Sequence, residues 1–230
     1  MTRVSGLFAL PKIAMEKRWD RVIGFYNYTV VLTYLGVVSA MIGIALAMFG
    51  QTSMAVICLM VSGCCDLFDG SVARTRTRTQ QERKFGIQID SLADLICFGV
   101  LPAAIGFSIG LTRWYEAAAL ILYVLAALIR LAYYNVTEDA LAFYENTARV
   151  YYDGLPVTTV ALWIPVIFAL RPVMRSGFSL LYAVSLLVCA ATFLTKIRVR
   201  KLGMKGMLAT AACGLAVLAL LIIEWNGAAA

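Results

Sequence analysis

Four aspartates, Asp66, Asp69, Asp90 and Asp94, lie within or at the edge of two long apolar runs, in a chain with only thirteen acidic residues. They read Asp66-x2-Asp69-Gly70-x2-Ala73-Arg74, then eleven residues, then Gly86-x3-Asp90-x3-Asp94. On an α-helix, positions 66, 69, 70 and 73 share one stripe, and positions 86, 90 and 94 share another. Each helix would then present two carboxylates and small residues on a single face. The short basic link between the runs predicts antiparallel neighbours, with the four carboxylates brought together. Asp69 precedes Arg74 by five residues and Asp90 follows Lys84 by six. At 1.5 Å per residue, both sit roughly 8–9 Å below the polar boundary, so the two pairs are level.

Ordinary helix-end aspartates are a poor explanation. Each charge deep in a membrane helix costs about 2.5–3.5 kcal/mol, so four unpaired ones approach roughly 10–14 kcal/mol, comparable to the stability of a whole domain. Four like charges also repel. One or two divalent cations relieve both costs, because clustered carboxylate oxygens suit Mg²⁺, Mn²⁺ or Ca²⁺. Gly70, Ala73 and Gly86 leave room for a bulky ligand along the same stripes. Close helix packing through small residues is the competing explanation, strongest for Gly86 alone.

The elements that must position these groups are membrane helices. The chain is 62% hydrophobic with a mean hydropathy of +0.83, too apolar for a soluble domain. Runs of about 20 apolar residues can cross a bilayer. Seven occur, at about 25–49, 52–74, 85–109, 114–136, 154–171, 177–195 and 206–225. The short patch Leu7–Leu10, broken by Pro11-Lys12, does not make the core of a cleavable signal peptide. The six cysteines lie inside apolar runs without zinc-ligand spacing and read as small hydrophobes. There is no histidine, which removes Ser-His triads, phosphohistidine intermediates and imidazole metal ligands.

The net charge of +7 is concentrated in three places: Arg3 to Arg21, Arg74 to Lys84, and Lys196 to Lys205. The alternate connections carry only Arg113, Arg171 and Arg175. This alternation is the positive-inside pattern rather than a nucleic-acid-binding surface, and it places the N-terminus in the cytosol. With seven spans the C-terminus lies outside. Residues 7–22 mix apolar and basic residues as an interfacial amphipathic helix would. Leu141, Tyr144, Ala148 and Tyr151 recur at helical spacing, predicting a second interfacial helix over 137–153.

Arg130 is the one basic residue well inside a span, six residues before Val136. It is roughly 9 Å deep, level with the aspartates. A structural or snorkelling arginine is the bland alternative. A single guanidinium matches one carboxylate, as on an amino acid, better than a dianionic phosphate. The acids near one face, and the absence of a detectable repeat, weigh against a cation transporter.

The aspartate pattern closely resembles the signature of the CDP-alcohol phosphotransferase family, which bridges transmembrane helices two and three. Every motif residue is present, although the eleven-residue gap "TRTRTQQERKF" is longer than the family usually shows. Further segments resemble the serine-accepting branch of that family: "FGIQIDSLADLICFGVLPA" (85–103), "RLAYYNV" (130–136), "GLPVTT" (154–159) and "FLTKIRV" (193–199). "GLPVTT" and Tyr133-Tyr134 depart from that branch's usual GLP-x-PAA and Arg-Phe.

The resemblance implies an all-α polytopic transmembrane helix bundle. Its six-helix core would occupy residues 25–205, after a cytosolic segment 1–24 and before an additional span in 206–230. It also implies Mg²⁺ or Mn²⁺ held by Asp66, Asp69, Asp90 and Asp94, with Asp94 as the general base. Gly70, Ala73, Arg74 and Gly86 would receive the CDP-lipid, and Arg130 the acceptor. The expected substrates are CDP-diacylglycerol and L-serine, with CMP released by a single displacement near the cytosolic face of the cell membrane. Phosphatidylglycerophosphate synthesis is the rival reaction. The lipid bilayer and a second copy of the chain, in a homodimer, are the expected partners, and nucleic acid is not.

Overall fold

The computed structural model describes residue 24, residues 28–73, 79–144, 151–174, 177–196 and 198–200, residue 206 and residues 209–219. It is a bundle of helices with one short two-stranded ribbon. After a 3-10 turn at Tyr28–Val30, α1 runs Val31–Met48 and α2 Thr52–Ala73. The third element is broken: α3 spans Gln80–Asp94, a π-helical turn spans Leu95–Val100, and α4 spans Leu101–Ser108. Then come α5 (Trp114–Tyr144), β1 (Tyr151–Asp153), a 3-10 turn (Val157–Thr159), α6 (Val160–Phe168), α7 (Arg171–Met174), α8 (Phe178–Leu194), β2 (Arg198–Arg200) and α9 (Ala209–Ala219).

Four of these stretches are long and apolar enough to cross a membrane: Val31–Met48, Thr52–Asp69, Gln80–Ser108 and Trp114–Thr137. Val157–Phe168, Phe178–Leu194 and Ala209–Ala219 are shorter apolar helices. The fifth span is thus shorter than the apolar run that announces it, because its first residues form the turn after β1. Of the expected seventh span, residue 206 and Ala209–Ala219 are helical, and the rest of 206–225 lies outside the described residues. The amphipathic segment over 7–22 also lies outside them.

The expected interfacial helix over 137–153 is corrected. Residues 137–144 continue α5, and 151–153 form β1, which pairs antiparallel with β2 in the register Tyr151 to Arg200 and Asp153 to Arg198. The helical spacing at 141 and 144 was therefore real, but it belonged to the span already running.

Packing follows side-chain size. α1 buries Gly36, Ala40, Gly43 and Ala47 along one stripe against α2, and the absence of bulk lets the backbones approach. A Cβ at Gly43 would lie 2.8 Å from the Cβ of Cys58. Ser39 Oγ donates to the Cys58 carbonyl at 2.9 Å, and Ser62 Oγ donates to the Gly36 carbonyl at 2.9 Å. On the other side of the bundle, α5, α6 and α8 bury Tyr123, Phe168, Phe178, Tyr182 and Phe193. The cysteines are free thiols; Cys97 and Cys189 are buried, while Cys64 and Cys213 are exposed on the helix surface.

Candidate active site

α1 packs against both α2 and α3, and a cleft opens between these last two, lined by all four aspartates. α3 begins with a capping box. The Thr79 hydroxyl accepts the Glu82 amide at 3.2 Å, and the Glu82 carboxylate accepts the Thr79 amide at 2.9 Å. This fixes the start of the helix that carries Asp90 and Asp94. On its flank, Ser91 Oγ donates to Asn135 Oδ1 at 2.8 Å, and Asn135 Nδ2 donates to Gln88 Oε1 at 3.3 Å. α3 is thereby tied to α5, which holds its acidic stripe toward α2.

The carboxyl of Asp66 is in hydrogen-bonding reach of Asp94, and that of Asp90 is in reach of Asp69. The earlier residue of one helix meets the later residue of the other, which is the antiparallel order the spacing predicts. Among the described residues, Asp66, Asp90 and Asp94 offer oxygens all within 4.8 Å of one another. Two oxygens on opposite sides of Mg²⁺ are about 4.2 Å apart, and about 5 Å apart around Ca²⁺. The donor set therefore fits a hard divalent ion with small side-chain adjustment. Asp69 stands slightly aside, and its Oδ2 accepts the Thr33 hydroxyl at 3.1 Å.

Arg130 is buried on α5, with 7% of its surface exposed, and its charge acts on Asp94. Its Nε donates to the Leu155 carbonyl at 2.7 Å, and its guanidinium lies 5.6 Å from the centre of the Tyr134 ring. Leu155 follows Gly154, whose φ of +85° belongs to the left-handed region. A Cβ at Gly154 would sit 3.2 Å from the Phe193 carbonyl and 3.3 Å from that of Thr195. The segment "GLPVTT" therefore reaches the site through a main-chain oxygen.

Gly86 is half-buried on α3, and Gly70 and Ala73 lie in the last turn of α2. Arg74 falls outside the described residues. Sequence reasoning missed Thr33, Gln88, Ser91 and Asn135. Thr33 could have been suspected as a hydroxyl near the start of an apolar helix, but nothing local points it at Asp69.

The arrangement can hold a divalent cation against a phosphate, beside a buried positive charge suited to a second, anionic group. Residues 26–170 match the family model described as CDP-alcohol phosphatidyltransferase. The chain is 41% identical over 115 residues to the CDP-diacylglycerol–serine O-phosphatidyltransferase of Saccharomyces cerevisiae, covering 49% of this chain and 41% of that protein. It is 33% identical over 143 residues to the protein of the same name from Helicobacter pylori strain 26695, covering 60% and 55%. An archaetidylserine synthase from Methanothermobacter thermautotrophicus is 30% identical over 145 residues, covering 63% and 58%. The matches thus span roughly half the length of these curated relatives. With more than half its length matched by the family model and its aspartates gathered in one cleft, the chain belongs to the CDP-alcohol phosphatidyltransferase family.

Proposed function

We propose that this protein transfers the phosphatidyl group of CDP-diacylglycerol to L-serine, giving phosphatidylserine and CMP. The observation that carries the reaction type is the trio of carboxylates whose oxygens lie within 4.8 Å of one another. The acceptor is supported by the relatives, two of them CDP-diacylglycerol–serine O-phosphatidyltransferases and one an archaetidylserine synthase, and by the placement of Arg130.

Asp66, Asp90 and Asp94, with Asp69 beside them, would hold Mg²⁺ or Mn²⁺, which when bound neutralises charge on the transferring and leaving phosphates. The chain's own residues do the rest. Asp94 accepts the proton of the serine hydroxyl as its oxygen bonds to the lipid-bearing phosphorus. The bond from that phosphorus to the bridging oxygen breaks, and CMP departs with that oxygen. Arg130 pairs with the serine carboxylate, its guanidinium oriented by the Leu155 carbonyl. Thr33 holds Asp69 in place. Gly70, Ala73 and Gly86 leave room for the cytidine, and Arg74 pairs with phosphate.

The catalytic unit is residues 25–205, flanked by 1–24 and 206–230, in a multi-pass membrane protein whose cleft opens to the cytosol. The clustered lysines and arginines support that sidedness. Purified protein incubated with CDP-diacylglycerol, divalent metal and a panel of alcohols should release CMP and yield a lipid with the mass of phosphatidylserine. If glycerol 3-phosphate is consumed and serine is not, the acceptor is wrong and the reaction type survives. A cysteine at Thr79 should react with impermeant reagents only after the membrane is opened; labelling of intact cells overturns the sidedness.

A further inference from the structure

The π-helical turn starts at Leu95, directly after Asp94, and the Leu101 amide reaches back five residues to the Ile96 carbonyl. In an uninterrupted α-helix the Phe98 carbonyl would be met by the nitrogen of residue 102. That residue is Pro102, which has no proton to give. The Tyr123 hydroxyl, projecting from α5, donates to the Phe98 carbonyl instead. One turn further on, the Tyr182 hydroxyl of α8 donates to the Pro102 carbonyl at 2.8 Å. Both tyrosines are fully buried at 0% exposure, and Phe98 itself lines the aspartate cleft.

The turn matters for the direction in which the aspartates point. Adding one residue to a helix rotates everything on one side of the addition by about 100° relative to the other side, since 3.6 residues make a turn. The distal side cannot rotate to compensate. Leu101 and Ile105 are fully buried, and a Cβ at Gly106 would lie 2.7 Å from a methyl of Leu120. The orientation of Asp90 and Asp94 therefore depends on the π turn keeping its extra residue.

We propose that Tyr123 is a positioning residue for the aspartate cleft: its hydroxyl holds the π-helical turn that aims Asp90 and Asp94 at Asp66. This rests on reading the cleft as a divalent-metal site. The test measures Mn²⁺ binding to the purified full chain, through the metal-dependent rise in melting temperature, beside turnover and KM for serine. Tyr123→Phe removes the hydroxyl and keeps the ring. It should raise the Mn²⁺ concentration for half-maximal stabilisation roughly tenfold, as loss of a group that orients ligands does. kcat should fall with KM for serine unchanged, and Tyr182→Phe should shift Mn²⁺ binding less than about twofold.

Pro102→Ala is the second arm, and a better helix former than proline, so it tests the idea even where Tyr123→Phe does not fold. It gives the Phe98 carbonyl a helical donor that competes with Tyr123 and favours the α register, and it should weaken Mn²⁺ binding in the same direction. Wild-type Mn²⁺ affinity in folded Tyr123→Phe or in Pro102→Ala overturns the positioning role alone. An unchanged melting temperature with Mn²⁺ in the wild type, matched by Asp90→Asn, overturns the metal reading and the positioning role together.

Discussion

The two halves of the interior are built from opposite materials. In the cleft between α1, α2 and α3 the lining side chains are mostly short (glycine, alanine, serine, threonine, cysteine and aspartate), with Leu32 and Phe98 the larger ones. Among the π turn, α5, α6 and α8, the rings of Phe98, Tyr123, Phe168, Phe178, Tyr182 and Phe193 are buried among aliphatic side chains, with Phe168 and Phe178 edge to face at 5.4 Å between centroids. The polar atoms differ in the same way. In the aromatic half the Tyr123 and Tyr182 hydroxyls each meet a main-chain carbonyl, which leaves no demand for a ligand. In the small-residue half, four carboxylates gather in one cleft, an arrangement whose mutual repulsion a bound cation would relieve. The carboxylates and the aromatic packing are thus housed in different regions, joined through Arg130 and the Tyr123 hydroxyl of α5, and substitutions away from those two links should separate their effects.

The largest effect is expected from Asp90→Asn or Asp94→Asn. Either should lower turnover at least about 100-fold, as loss of a metal ligand or base does. The protein should still fold in detergent, with a melting temperature no lower than the wild type when metal is withheld, because one repelling charge is gone. Retention of more than about a tenth of the turnover would remove that residue from the chemistry. The converse comes from Gly63→Ala. Its new Cβ would lie 2.3 Å from the Cβ of Ala161, so overpacking between α2 and α6 should cost about 1–3 kcal/mol of stability. Turnover per folded molecule should be nearly intact; a large loss would mean the two regions are not separable.

Arg130→Ala should raise the apparent KM for serine about tenfold or more, and Arg130→Lys less, with KM for the CDP-lipid little changed. Equal effects on both substrates would recast Arg130 as a structural partner of the aspartates. The smallest effect belongs to Thr33→Val, which keeps the shape and removes only the donor to Asp69. Turnover should fall a few-fold, corresponding to about 1 kcal/mol. No change in turnover would show that Asp69 is held without it.

The chemistry was more legible in the sequence than the architecture around it. Asp66, Asp69, Asp90 and Asp94 could be placed together because helical spacing and the cost of buried charge are both local properties of the chain. The broken third span could not. Pro102 is visible, but whether a helix answers it with a kink or a π turn depends on donors from α5 and α8. β1 escaped notice because its partner β2 lies beyond α6, α7 and α8, and three residues carry too little pattern to announce a strand. Thr33 was missed because its meaning depends on a contact with the far end of α2. Arg130 was found by its charge, whereas the Leu155 carbonyl that orients it has no signature in side chains.

The β1–β2 ribbon also imposes an order on how the protein is made. β1 is synthesised well before β2, with α6, α7 and α8 between them. Synthesis proceeds from the N-terminus, so the ribbon cannot close until α8 has been inserted and its C-terminal end has turned back. Gly154 takes its seat against the Phe193 and Thr195 carbonyls only then, and the Leu155 oxygen beside it is offered to Arg130 at the same stage. The side chains that line the aspartate cleft all come from α1, α2, α3 and the π turn, and are synthesised earlier. A nascent chain arrested before α8 would therefore carry all four aspartates of its site while the half around Arg130 is still open.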